Sequence, residues 1–312
     1  MRIPADIKKG QLTVCVPARS STVVEHLQAL LSDRPDLIVD SLSLEGMIDL
    51  SPAWTSPAAT IAHVSGVSTD DDDWFGLLDP VCLAADMRDV RLQAWPINDL
   101  DEDHEKGLMS DIQSLLASDP DARVSQWKLA IASDAHWLVS APIGAAIDVT
   151  TESPSAWIGD ALREYQPVGQ DAGLVRRLST EWQMSLHAHV ANEARAQQGR
   201  APVNGLWLYG CGQPISRPNM PLPRLATDWS LLAAWWQFSG NERQLVREIP
   251  PTLSALSDVR ILAPINWAPE LTKALHALDA GDLRQVFLVT RWDCWSIKRR
   301  RWWQRAQTEM PN

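Results

Sequence analysis

Residues 172–210 read AGLVRRLSTEWQMSLHAHVANEARAQQGRAPVNGLWLYG. Laid out at about 100° per residue, Val175, Leu178, Trp182, Ser185 and Leu186 fall on one stripe, and His189, Asn192 and Glu193 continue it. This pattern predicts one long amphipathic helix, stopped by Gly199 and Pro202 and followed by a buried strand over Leu206 to Tyr209. The inward face turns polar halfway along. A buried polar group left unpaired costs about 1–3 kcal/mol, so that face must meet hydrogen-bond partners, an ion or a ligand. His189, Asn192, Glu193 and Arg195, at helical spacings, form one polar cluster, expected to be partly buried and near the turn Gly210-Cys211-Gly212. Two readings fit it: a satisfied core histidine beside a surface arginine, and an anion-binding or formerly catalytic site.

Downstream of this stretch, Asp228 is placed to cap a helix through Leu231, Leu232, Trp235 and Trp236. Val259 to Leu262 and Gln285 to Thr290 read as strands separated by a helix near Pro269 to Leu278. Upstream, Gln11 to Val16 reads as a buried strand and Ser20 or Ser21 as the cap of a helix carrying Val24, Leu27, Leu30 and Leu31. Asp40 to Asp73 reads as loop with short helical pieces, and its acidic end, Asp70 to Asp73, as a solvated charge run. Asp79 to Trp95 alternates apolar and polar residues on both sides of a turn at Asp86 to Asp89, the pattern of a hairpin. A helix is expected from about Asp99 to Leu116. A second hairpin follows over Ser125 to Ala130 and Ala135 to Val139, with Trp127 and Trp137 facing each other across it.

Ribbons beside alternating strands and helices define the fold class as α/β, a mixed β-sheet flanked by helices. A chain of 312 residues admits one large domain or two lobes. In the two-lobe reading the boundary lies in the Pro- and Gly-bearing segment Thr150 to Gly169. Residues 1–165 then form an N-terminal α/β lobe with two hairpins, and residues 166–312 a C-terminal α/β lobe with the long helix and a basic tail.

Composition narrows the function. A hydrophobic content of 45% supports a packed core, and a net charge of -11 argues against nucleic acid as the main partner of the whole surface. The start lacks a signal peptide's apolar run, and no stretch approaches the roughly 18 apolar residues of a membrane span. A cytoplasmic protein with no membrane contact is expected. Cys15, Cys82, Cys211 and Cys294 are scattered without a CxxC pair, as expected of reduced core thiols. Glycine-rich dinucleotide and P-loop motifs, GxSxG and HExxH are all absent, so no cofactor is expected. His187 and His189 would diverge by about 200° on a helix, which argues against a shared metal, and no metal ligand is assigned.

The segment LHAHVANEARAQQGRAPVNGLWLYGCG resembles the pattern HPxN-x-x-R-x-x-x-G-x-x-P-x-N-x-x-W-x-x-G-x-G of archaeal-type cofactor-independent phosphoglycerate mutases. It is still more similar to their short bacterial relatives, the RpfE-type regulatory proteins. The matching positions are His189, Asn192, Arg195, Gly199, Pro202, Asn204, Trp207, Gly210 and Gly212. LDPVCLAADMRDVRL is similar to the short family's DPVHLRAD hairpin at Asp79, Pro80, Leu83, Ala85 and Asp86. Val190 replaces the motif proline, and Cys82 and Ala84 stand where the short family carries basic or titratable side chains. True mutases of this kind resemble alkaline phosphatases, with two divalent metals on Asp and His clusters and a Ser or Thr nucleophile. Beyond Gly212 this chain has only His276 and no DxxxH or DHG-like segment, so the resemblance implies the scaffold rather than the reaction.

Helical cluster and resemblance together nominate His189, Asn192, Glu193, Arg195, Asn204, Asp79 and Asp86 as ligand-binding residues for a small anion, with no catalytic residue. The implied protein is a non-catalytic, phosphoglycerate-mutase-like regulatory or ligand-sensing protein. A metal-dependent phosphoglycerate mutase, or another phosphotransfer enzyme on a small phosphorylated metabolite, is one alternative. An interaction module is the other: Lys298, Arg299, Arg300, Arg301 and Arg305, with two Trp among them, either close the fold or contact a protein or nucleic acid.

Overall fold

A computed structural model describes residues 2–4, 7–9, 11–16, 20–32, 34, 36–42, 47–49, 56–67, 73–95, 97, 99–132, 136–165, 167–217, 221–249, 259–290 and 293–299. The chain opens with strands β1 (Arg2–Pro4) and β2 (Gln11–Cys15), helix α1 (Ser20–Ser32), strands β3 (Leu37–Ser41) and β4 (Met47–Asp49), and helix α2 (Pro57–Val64). Next come β5 (Asp73–Ala85), β6 (Val90–Ala94), α3 (Glu102–Ala117), β7 (Lys128–Ile131) and β8 (Trp137–Pro142). Then α4 (Ala172–His187), α5 (Val190–Gln197), β9 (Gly205–Gly212), β10 (Leu225–Thr227) and α6 (Ser230–Phe238) follow. The last elements are β11 (Leu245–Val246), β12 (Ile261–Ala263), α7 (Trp267–Ala280), β13 (Gln285–Val289) and β14 (Cys294–Arg299). The fold class is mixed α/β, as the alternation predicts.

Two compact units divide the chain: Met1–Ala53 with Arg217–Asn312, and Trp54–Ser216. The division therefore does not fall at 165/166. Residues 150–169, read as a boundary because of their Pro and Gly, are laced onto the second unit instead: Thr150 bridges Val168, Leu92 bridges Ile158 and Arg91 bridges Ala161.

In the first unit the described strands form a sheet of order β11-β10-β12-β2-β13-β14-β3, with β1 and β4 as a separate antiparallel ribbon. From β11 to β13 the pairs are parallel, and β14 and β3 add antiparallel strands at one edge. Parallel strands carry helices on their faces, which is why β2 reads as a near-continuous apolar run. Val23 and Leu27 of α1, with Leu271, Ala274, Leu275 and Leu278 of α7, share a core with Leu12, Val14, Leu262, Val286 and Leu288. Asp228 does not cap α6. The N-cap is Trp229, whose amide is held by Thr227 Oγ1, while Asp228 Oδ1 accepts from the Ile265 amide beyond the neighbouring strand. In the basic run, Lys298 pairs with Asp40 at 2.8 Å and an Arg299 guanidinium N–H donates to the Asp279 carbonyl. Arg300, Arg301 and Arg305 lie outside the described residues.

In the second unit β5 is the spine. Its first half pairs with β8, its last residues with β6, and its middle with β9, all antiparallel, and β7 extends β8. The expected hairpin of Asp79 to Trp95 is present, with β5 starting earlier, at Asp73; Asp70 to Asp72 lie outside the described residues. The second hairpin also forms, but its register sets Trp137 opposite Ile131, and Trp127 precedes β7 and stacks on Trp74 at 5.2 Å. Trp74, Leu78 and Cys82 face a core with Leu108, Ile112 and Leu116 of α3 and Val175, Leu178, Trp182 and Leu186 of α4. Helix α2 packs on β5 and β9 with Pro57 to Ala62 all buried, yet contributes nothing to that core. Because side chains alternate along a strand, α2 therefore covers the other face, the one that takes Asp79 and Tyr209.

Candidate functional site

The predicted long helix is two helices. α4 ends at His187, and α5 restarts at Val190 with His189 as its N-cap in an extended conformation, φ -69° and ψ 137°. His189 Nδ1 accepts from the Ala191 amide at 3.1 Å, which fixes the ring proton on Nε2, and Nε2 lies 3.3 Å from Asp111 Oδ2 on α3. The break resets the helical phase, so the polar stripe does not simply continue inward. Glu193 is exposed, while Asn192 is half-buried and Arg195 is buried.

Asn192 is committed to backbone, and Arg195 to backbone and the Asp99 carboxylate. Asn192 Nδ2 donates to the carbonyls of Leu186 and Val203, and its Oδ1 accepts from the Val203 amide. Arg195 Nε donates to the Ala201 carbonyl at 2.6 Å, and its Nη2 pairs with Asp99 at 2.7 Å. Asn204 does the same work one step on, donating to and accepting from Leu83 of β5. These side chains satisfy polar groups of a helix end and an incoming strand, the requirement that makes them polar at all. They sit before β9 at Gly205, and strand rise puts Gly210 about 17 Å further along, so the cluster does not adjoin the Gly210 to Gly212 turn. Asp86 is exposed in the β5–β6 turn, where its carboxylate accepts from the Arg88 and Asp89 amides and from Arg91 Nε. The Arg88 amide foremost, then Arg91 and the Asp89 amide, hold its carboxyl down at about 2.

Asp79 has a different environment. Only 1% exposed, its carboxylate accepts from Trp95 Nε1 at 2.8 Å, Tyr209 Oη at 2.7 Å and His136 Nδ1 at 2.9 Å. Burial, reinforced by the Asp79 charge and hydrogen bond, pushes the Tyr209 phenol well above its usual range, so it remains a donor. The carboxylate in turn fixes the proton of His136 on Nδ1. His136, Tyr209 and Trp95 were not nominated from the sequence. His136 is 57 residues from Asp79 and Tyr209 is 130, and no local spacing links them.

On this same face, Ser56 is the N-cap residue of α2. Its side chain is 1% exposed, its hydroxyl caps no amide, and it finds no hydrogen-bond partner among the described residues; the same holds for the Thr60 hydroxyl one turn on. Pro57 occupies the first helical position and packs on Gly210, where a Cβ would lie 3.1 Å from the proline ring. The amides of Ala58 and Ala59 have no acceptor within the helix. A buried hydroxyl beside two such amides, at the positive end of a helix dipole, is a donor set for an anion. Among the described residues no group of three or more His, Cys, Asp or Glu is placed to hold a metal ion, and no helix is long and apolar enough to cross a membrane.

No family model matches the chain, and no curated protein matches it. Among solved structures, a cofactor-independent phosphoglycerate mutase from Thermoplasma acidophilum is similar at 14% identity and a TM-score of 0.38, covering 93% of this chain and 89% of that one. The PH0037 protein from Pyrococcus horikoshii is similar at 11% identity and a TM-score of 0.35, covering 94% and 88%.

Proposed function

We propose that this chain is a phosphoglycerate-mutase-like protein of the RpfE type that senses a small phosphate-bearing anion without converting it, in the cytoplasm. The observation that carries the reading is the buried Ser56 hydroxyl at the start of α2, which has no hydrogen-bond partner among the described residues. A polar group in that position costs about 1–3 kcal/mol unless something accepts from it, and an anion there also meets the amides of Ala58 and Ala59. Of the residues nominated from sequence, Arg195, Asn192 and Asn204 already hold carbonyls, amides and Asp99, so they serve as scaffold for α5 and the start of β9 rather than as ligand contacts. His189 and Glu193 contribute no donor to it.

The test is thermal stability of the full chain with inorganic phosphate and with 3-phosphoglycerate, paired with a coupled mutase assay. Ligand at 100 times its dissociation constant adds about 2.7 kcal/mol of stability. That gain is expected in the parent protein and is expected to vanish in Ser56→Ala, with no turnover in either. Binding that survives Ser56→Ala sinks the assignment of the site. Turnover of phosphoglycerate sinks the non-catalytic half and restores the metal-dependent phosphotransfer reading.

A further inference from the structure

The α4–α5 joint is held by a titratable cap, and nothing in the proposed anion site uses it. An N-cap side chain must offer an acceptor to the first free amides of its helix; Asp, Asn, Ser and Thr do so at any neutral pH. His189 does so only while its ring is neutral, because Nδ1 is the atom that accepts from Ala191. Protonation turns that acceptor into a donor aimed at an N–H, and sets a positive charge at the positive end of α5. One compensation exists: Asp111, from α3, is 3.3 Å from Nε2, but its side chain is 60% exposed and screened by water. Gly107 of α3 faces the ring without a charge. The other charged or titratable groups of the joint are His187 in the last turn of α4, exposed, and Glu193 and Arg195 on α5, the first exposed and the second tied to Asp99.

We infer that His189 is a proton-operated latch: proton uptake releases the cap, loosens the first turns of α5, and with them the grip of Asn192 on Val203 and of Arg195 on Ala201. Those bonds pin the segment leading into β9, the strand that carries Tyr209 to Asp79. The latch thus couples acidification to the order of residues 190–204 while the cores of α3 and α4 stay packed. A neutral acceptor that cannot titrate, as in His189→Asn, keeps the cap and removes the switch.

Amide hydrogen exchange on the full chain from about pH 8 to pH 5, the interval in which an imidazole changes charge, tests this after correction for intrinsic exchange. Protection at Ala191, Asn192 and Val203 is expected to fall about fivefold on acidification in the parent protein, the size of a lost cap, and to stay level in His189→Asn. Nitrogen shifts of the His189 ring in the parent protein must show the Nε2–H tautomer at neutral pH, a readout independent of how the variant folds. Protection that ignores pH, an equal fall in His189→Asn, or an Nδ1–H tautomer would each overturn the latch.

Discussion

Asp79 and Asp86 lie seven positions apart in one hairpin and do opposite things with a carboxylate. Asp79, buried under three donors, is an acceptor the interior cannot lose. Asp79→Ala leaves the Tyr209 hydroxyl, the Trp95 indole and His136 without it, so an expected loss of roughly 3–5 kcal/mol should appear as a lower urea midpoint. Tyr209→Phe removes one donor and leaves the carboxylate two, so about 1 kcal/mol is expected. Equal losses in the two variants would mean that Asp79 is not the hub. Asp86 is exposed, and its effect is local. Its carboxyl is held at about 2, below the ordinary carboxylate value of about 3.9, so the turn gains order above that ordinary value and loses it only as pH falls toward 2. Carboxyl carbon shifts should therefore give Asp86 a midpoint near 2; a midpoint close to 4 would show that the turn bonds do not form. The alternation around both residues was visible in the sequence. Their difference was not, because it is made by Trp95, His136 and Tyr209, brought in by pairing with β6, β8 and β9.

At the scale of elements, periodicity located most pieces, among them β2, α1, the β5–β6 hairpin, α3 and β13. It failed where a helix stops without a breaker. Ala188 and His189 look helical by composition, and a periodic stripe runs through them, yet the cap sits there. One signal was available: the resembled pattern carries proline at position 190, and proline at the first helical position marks a start. Val190 occupies that first position in α5. The bulge in β9 was equally hidden. Register slips between Phe75 and Leu77 where Gly210 adopts φ +64°, turning Gly210 toward Pro57 and Cys211 toward the α3–α4 core. Gly210→Ala should cost about 1–2 kcal/mol for the left-handed backbone alone. It should also weaken phosphate binding, because the new methyl presses on the ring that opens α2. Denaturation and thermal-shift titration of the same variant separate the two effects, and unchanged stability would mean that the bulge relaxes freely.

Over the whole molecule, what the sequence could not reveal is that one unit is discontinuous. Local patterns are blind to it, since the pairing of β2 with β12 and β13 joins residues some 250 positions apart. The scattered cysteines read as core thiols; Cys15, Cys82 and Cys294 are buried and Cys211 is half-buried, and desolvation pushes Cys15, Cys211 and Cys294 up to about 12 and raises Cys82 as well. A disulfide reagent at pH 8 should find none of the four quickly in the native protein and all of them in denaturant. The inserted unit invites a stronger test. Trp54–Ser216 contains its own sheet and its own core, and the bonds of Asp79 to Trp95, His136 and Tyr209 and those of the α5 clamps are internal to it. Near its two ends Pro57 packs on Gly210, which brings the first turn of α2 close to the bulge of β9, an arrangement that favours excising the segment without opening a long loop. Residues 54–216 expressed alone should give a cooperative unfolding transition with dispersed amide signals, and should retain phosphate binding through Ser56. A fragment that is molten, with native-like helix content but no fixed side-chain signals, would show that the first unit supplies part of its core, and that the division of the chain is one of contacts rather than of folding.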